Sequence, residues 1–316
     1  MHLHKNTADF KDLIILTSER LELDPIIIEK DYWITHALYS LSKSEYKDIV
    51  VFKGGTSLTK CYEDLHRFSE DIDIALLAKG MNPSQIKRTL SKVEKVMKAD
   101  LQSGEFKEER KSGDYRYTQF TYQSLFSGSL MELHPNIRFE LTSFMYPEPY
   151  EIRKMGSFIE QYLSEMNMND VIQEFDLGKF ELNVLVIERT VIEELASMIR
   201  MSYELEMKEL LTKTRHLYDL YITYPLVKGF YDDSEKFIEM VEIVKMAEFD
   251  SRFKDMYPIE NKWQDAPLFT ILDDSKIEVA YREHFGAEFV YGQLPEFEIV
   301  KKVIVKLQNA LIRCDL

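Results

Sequence analysis

Gly54-Gly55 and Asp71-Ile-Asp73 are the residues of this 316-residue chain whose types and spacing point most directly to chemistry. Paired glycines let the backbone turn tightly and approach a ligand, because no Cβ intervenes. A helix opening at about Gly55 would aim unpaired N–H groups and the positive end of its dipole at that turn, where phosphate is favoured. Thr56 and Ser57 add hydroxyl donors. Asp71-Ile-Asp-Ile-Ala alternates like a half-buried strand. Both aspartates then share one face, about 7 Å apart, while Ile72 and Ile74 turn inward. Two such carboxylates can hold Mg²⁺ and leave positions for waters and substrate phosphates. A metal pair about 4 Å apart would stabilise the attacking and leaving oxygens of an in-line displacement. A phosphate cradle followed by a carboxylate pair reads as a nucleotidyl-transfer site with an NTP as donor.

These residues need elements to position them. Ile49, Val50, Val51 and Phe52 form an apolar strand over 49–53 that runs into the glycines. Upstream, Thr7 can cap a helix over 8–21, and Asp24-Pro25 supplies an N-cap and first-turn proline for a helix ending near Ser42. A helix is expected over 84–101, after Pro83. Residues 114–123, 136–145 and 179–187 are rich in strand formers. Beyond Glu188 the pattern gives helices at 188–206, 214–223, 234–249 and 296–312, and no strand. The change of periodicity places a boundary near 187, with an α/β domain over 1–187 and a helical domain over 188–316; two domains also fit the length prior of about 150 residues each.

Composition narrows the classes. Hydrophobic residues make up 45% of the chain, enough for a sizeable core. Two cysteines, Cys61 and Cys314, exclude a disulfide framework and point to a reducing, cytoplasmic setting. The start, Met-His-Leu-His-Lys, lacks a signal-peptide apolar run, and no stretch reaches the 18 apolar residues of a membrane span. A net charge of −15 opposes nucleic-acid backbones overall. Lys87, Arg88, Lys92, Lys95 and Lys98 form a local basic helix face, read first as solvated. The seven histidines form no metal-ligand motif, and neither a Walker A sequence nor a Cys-based site is visible.

The segment Lys53-Gly-Gly-Thr-Ser-Leu58, followed by Arg67-Phe-Ser-Glu-Asp71-Ile-Asp73, resembles the signature of the AbiEii/AbiGii toxin family, within the DNA-polymerase-β-like nucleotidyltransferases. Weaker matches are Glu29-Lys-Asp-Tyr32, Glu188-Arg-Thr190 and Arg215-His-Leu-Tyr-Asp219. The resemblance touches residues 28–220 and is specific over 52–74. It implies an α+β fold, a mixed sheet flanked by helices and followed by a helical C-terminal domain. It also implies Mg²⁺-dependent transfer of NMP from an NTP to an acceptor hydroxyl, with the 3′ end of tRNA as first expectation and a cognate antitoxin as partner.

Relatives complete the metal site with a third carboxylate that acts as general base. Ile137-Arg-Phe-Glu-Leu141 alternates, so Glu140 fills that role by pattern and by similarity; pairing with Arg138 is the competing reading. By resemblance the nucleotide would be contacted by Lys53, Gly54, Gly55, Thr56, Ser57, Arg67, Ser69, Arg189 and Asp219. Lys60, one to two turns into the helix, is a further cation. Arg189–Glu193 and Arg215–Asp219 also have the i,i+4 spacing of ordinary salt bridges. One departure matters: Glu194 stands where the family often has a phosphate-binding lysine. Arg189, Arg200, Lys213 or Arg215 are the candidate substitutes. A degenerate protein that binds nucleotide, RNA or a partner without turnover is therefore the alternative to an enzyme.

Overall fold

Asp24 accepts a hydrogen bond from the Ile26 N–H at 2.8 Å and sets Pro25 in the first turn, so α2 (Pro25–Ser42) starts where proline's missing donor costs nothing. Helix α1 (Thr7–Leu21) is capped by Asn6, which accepts from Asp9 N–H, so Thr7 is already its first helical residue. The computed structural model describes residues 1–62, 65–104, 106, 108–126, 135–144, 146–204, 207–249, 253–254, 256–258, 260–286 and 290–316. Contacts divide the chain into two units. The first comprises Met1–Glu63, Phe68–Ser143 and Tyr150–Val184, and the second comprises Asp64–Arg67, Phe144–Pro149 and Leu185–Leu316.

The first unit is built on a mixed sheet. Its strands are β1 (Val50–Lys53), β2 (Asp71–Leu76), β3 (Gln102–Ser103), β4 (Arg110–Lys111), β5 (Tyr115–Thr121), β6 (Asn136–Thr142), β7 (Tyr150–Met155) and β8 (Phe180–Leu185). The spatial order is β3-β5-β6-β2-β1-β8-β7, with β4 paired to β5. Strand β2 is central, antiparallel to β1 and parallel to β6. Helix α3 (Gly54–Cys61) follows β1 directly; α4 (Pro83–Lys98), α5 (Phe158–Glu165) and α6 (Asn169–Glu174) complete the unit. Helices α2 and α4 pack on β6. The sequence pattern misses the short strands β3 and β4, the edge strand β7, and the helices α5 and α6.

Alternation fixes the register. Ile72, Ile74, Phe139 and Leu141 are fully buried, each contributing about 1.5–3 kcal/mol. The residues between them, Asp71, Asp73, Arg138 and Glu140, lie on the opposite, half-buried face. A one-residue slip would bury two aspartates and expose two isoleucines, so slippage is strongly opposed.

The second unit is helical: α7 (Ile187–Ser202), α8 (Lys208–Thr212), α9 (Arg215–Asp232), α10 (Ser234–Phe249), α11 (Leu268–Ile271), α12 (Ser275–Val279) and α13 (Phe297–Cys314). Helices α7, α9, α10 and α13 pack on one another. Helix α9 runs through Pro225, well past the expected end at 223. Burial of Val227, Phe230 and Tyr231 beyond the proline offsets the hydrogen bond it cannot make. Among the described residues, no helix is long and apolar enough to cross a membrane.

Candidate active site

Strand β1 ends at Lys53, and Gly54 takes φ +74°, a left-handed conformation that favours glycine, to start α3 at once. The same glycine makes room for a carboxylate. A Cβ on Gly54 would lie 2.2 Å from Asp73 Oδ2. Lys53 pairs with Asp73 across β1 and β2, and Asp73 pairs with Glu140 across β2 and β6. Directly opposed residues share a face about 4.8 Å apart, so Lys53, Asp73 and Glu140 form a row, with Asp71 one step along β2. Tyr117 is opposite Glu140. Its hydroxyl is pushed up to about 12, by burial first and then by Asp71 and other acids including Glu140.

The hydroxyl residues are used internally. Thr56 and Ser57 are buried. Ser57 Oγ donates to the Gly54 carbonyl at 2.7 Å. Thr56 Oγ1 lies 2.8 Å from Ser69 Oγ and donates to the Asp71 carbonyl. These bonds join the first turn of α3 to the start of β2 and hold the glycine bend beside the acidic pair. With both hydroxyls so engaged, an anion at the bend would meet backbone N–H groups.

Cations surround the acids in a chain that the sequence reading left incomplete. Arg138 Nε lies 2.5 Å from Asp71 Oδ1, and its Nη2 contacts Glu70. Lys30, fully buried on α2, reaches the other Glu70 oxygen. Its neighbours in Glu29-Lys-Asp-Tyr32 are buried as well. Glu29 accepts from the Leu125 N–H and the Ser124 hydroxyl, at 2.8 and 2.6 Å. Asp31 accepts from the Phe158 N–H at 2.8 Å and pairs with Lys60. Lys60 is thus a buried tie between α2 and α3. The weak sequence match at 29–32 is the signal that could have identified this network.

The remaining candidates belong to the second unit. Arg67, buried, makes a two-pronged ion pair with the fully buried Asp219: Nε to Oδ1 at 2.5 Å and Nη2 to Oδ2 at 2.6 Å. Asp219 is therefore committed to Arg67. Glu194 and His216 adjoin it, with ligand atoms of the three residues within 4.8 Å of one another. Burial first, and the Asp219 charge next, raise the Glu194 carboxyl well above its usual range, so it holds a proton. Burial, then Arg215 and Lys213, keep His216 neutral. Arg189 is fully buried on α7, with Nε 3.0 Å from Glu193 Oε1. Arg200 pairs with Glu248 and stacks 3.9 Å from the Phe253 ring centre.

Asp71, Asp73 and Glu140 share one side of the adjacent strands β2 and β6, next to the glycine bend, but they are not among the described groups whose donor atoms lie within 4.8 Å of one another. Asp71 is engaged by Arg138, so an ion bound there would have to displace a guanidinium. Among the described residues, the groupings that do meet that distance are His4–His36–Asp100 and Glu194–His216–Asp219. The first joins histidines that no sequence motif connects.

A mixed sheet with an acidic pair leading its central strand, set beside a glycine-started helix, is the architecture of a nucleotidyltransferase. The family model described as nucleotidyl transferase AbiEii toxin, type IV TA system, matches residues 36–293, and the chain belongs to that family. Its fold is similar to that of MenT4, a nucleotidyltransferase toxin from Mycobacterium tuberculosis H37Rv. The likeness has a TM-score of 0.53 and 17% identity, covering 96% of this chain and 94% of that one. Among curated proteins, none matches the sequence.

Proposed function

We propose that the protein transfers a nucleoside monophosphate from an NTP to an acceptor hydroxyl, with Mg²⁺ held by Asp71, Asp73 and Glu140. The observation that carries this reading is the Asp73 carboxylate seated against the Gly54 bend, which brings a metal ligand to a phosphate-type turn. Bound metal would supply charge stabilisation on the transferring phosphoryl group. The triphosphate lies over the Gly54–Gly55 turn, whose N–H groups receive it, with Lys53 on the same row. Glu140 takes the proton of the acceptor hydroxyl, whose oxygen bonds to the α-phosphorus as the bond to pyrophosphate breaks. Arg67, Arg189 and Asp219 would serve as organisers of the second unit.

The 3′ end of tRNA is the acceptor to test first, and a cognate antitoxin is the expected protein partner. Purified protein is incubated with Mg²⁺, each labelled NTP and total tRNA. Label in RNA from the unaltered chain, lost on the order of 10³-fold in Asp71→Asn and Asp73→Asn with unchanged circular dichroism, is the expected result. Full activity in either variant removes the metal assignment.

Glu194 supports a second reading, in which nucleotide binds without turnover. A protonated acid at the position where relatives often carry a lysine offers no positive charge to a phosphate. Saturable NTP binding with no label transfer to RNA, protein or small hydroxyl acceptors would select it.

A further inference from the structure

We propose that His4, His36 and Asp100 form a binding site for a divalent transition-metal ion of the zinc class, built from residues that take no part in the acidic face. The three come from distant points in the chain. His4 sits on the single 3₁₀ turn Leu3–Lys5, His36 on α2, and Asp100 just past the end of α4. Nε2 of His4 and Nε2 of His36 each lie 3.1 Å from the same oxygen, Asp100 Oδ2. Donor atoms around a tetrahedral ion with bonds of 2.0–2.1 Å stand about 3.3 Å apart, so these spacings need only small adjustment. Two imidazole nitrogens and a carboxylate oxygen suit zinc, cobalt or nickel, whereas magnesium and calcium prefer oxygen alone.

The surroundings prepare the donors. His4 Nδ1 lies 2.8 Å from the Tyr32 hydroxyl. With a metal on Nε2, the His4 proton would sit on Nδ1 and point at that hydroxyl, the arrangement that fixes a ligating histidine. The Tyr32 and His36 rings are stacked in parallel, with centres 6.2 Å apart and planes within 2°, which sets the His36 orientation. Burial keeps both imidazoles neutral, the form that ligates: His36 is lowered to about 4, and His4 is lowered as well. The Asp100 side chain is 46% exposed, which leaves the outward position to water. The site is therefore exchangeable from solvent, and an ion there would fasten the Leu3–Lys5 turn to α2 and to the end of α4.

The test is a Co²⁺ titration of the full chain without an affinity tag, followed by visible absorption, with Zn²⁺ calorimetry and thermal melts alongside. With excess Mg²⁺ to occupy the acidic face, one equivalent is expected to bind and to raise Tm. The Asp71→Asn/Asp73→Asn protein should bind equally, which separates this site from the acidic face and from the transferase reading. Asp100→Asn, at the exposed ligand, and His4→Ala should weaken binding at least about tenfold, and Tyr32→Phe about 10–100-fold. His2→Ala should change nothing, excluding a local His-x-His site. Absence of saturable Co²⁺ or Zn²⁺ binding in the unaltered chain would overturn the inference. So would binding that survives unchanged in folded Asp100→Asn and His4→Ala.

Discussion

The Asp73 carboxylate occupies the volume that a β-carbon on Gly54 would need, with 2.2 Å between that position and Oδ2. Gly54→Ala therefore acts twice. Its φ of +74° costs an alanine about 1–2 kcal/mol. The added methyl also drives Asp73 aside, and a displacement of about 1 Å at a reacting centre can cost on the order of 10²-fold in rate. The expected result is a modest fall in Tm with a disproportionate loss of NMP transfer. Retained activity would show that Asp73 need not rest on the bend.

The Arg67–Asp219 pair predicts an asymmetric pattern of stability. Removing one partner, as in Asp219→Ala, strips the buried guanidinium of its two-pronged carboxylate and is expected to cost roughly 3–5 kcal/mol. Replacing both, as Arg67→Met with Asp219→Leu, should recover most of that loss. Urea unfolding of the wild type and these two variants measures the difference; equal losses in the single and double variants would contradict it.

Glu194, protonated beside Asp219, should tolerate a neutral isostere. Glu194→Gln is expected to change stability by less than about 1 kcal/mol near pH 5. The sign with pH follows from the raised folded value. Above the unfolded carboxyl range near 4.5, the folded state binds the extra proton, so wild-type stability falls as pH rises. The glutamine variant lacks this slope and should gain on the wild type between pH 5 and 8 in thermal melts.

His36 predicts the opposite slope in acid. Its folded value lies near 4 against an ordinary 6.5, lowered by burial first and then by His4, and opposed by Asp100. The unfolded state binds the proton more readily, so this contribution is full above pH 6.5 and is lost as pH falls through 4. The shift corresponds to roughly 3 kcal/mol. His36→Gln should flatten the decline of metal-free protein between pH 6.5 and 4, followed by chemical denaturation.

Legibility in the sequence tracked how local the physics was. The shared face of Asp71, Asp73 and Glu140 was readable because a two-residue period is written in adjacent side chains. Asp24-Pro25 gave the start of α2 for the same reason. Strand β7 was invisible: Tyr150, Ile152 and Lys154 are exposed along an edge, so no apolar alternation marks it. Hydroxyl chemistry was read at Thr56 and Ser57, but sequence cannot tell a donor turned toward ligand from one turned into the core. The pairings of Arg67 with Asp219 and of His4 with His36 and Asp100 depend on tertiary folding across long stretches of chain. No window of neighbouring residues contains them.

The parallel pairing of β2 with β6 sets when the acidic face can exist. Asp73 and Glu140 meet only after the chain through Thr142 has been synthesised and has closed a long crossover, a slow, high-contact-order event. A polypeptide still emerging from the ribosome would carry the aspartates without their glutamate partner. The three-carboxylate face is thus a property of the closed sheet and of no shorter piece of the chain.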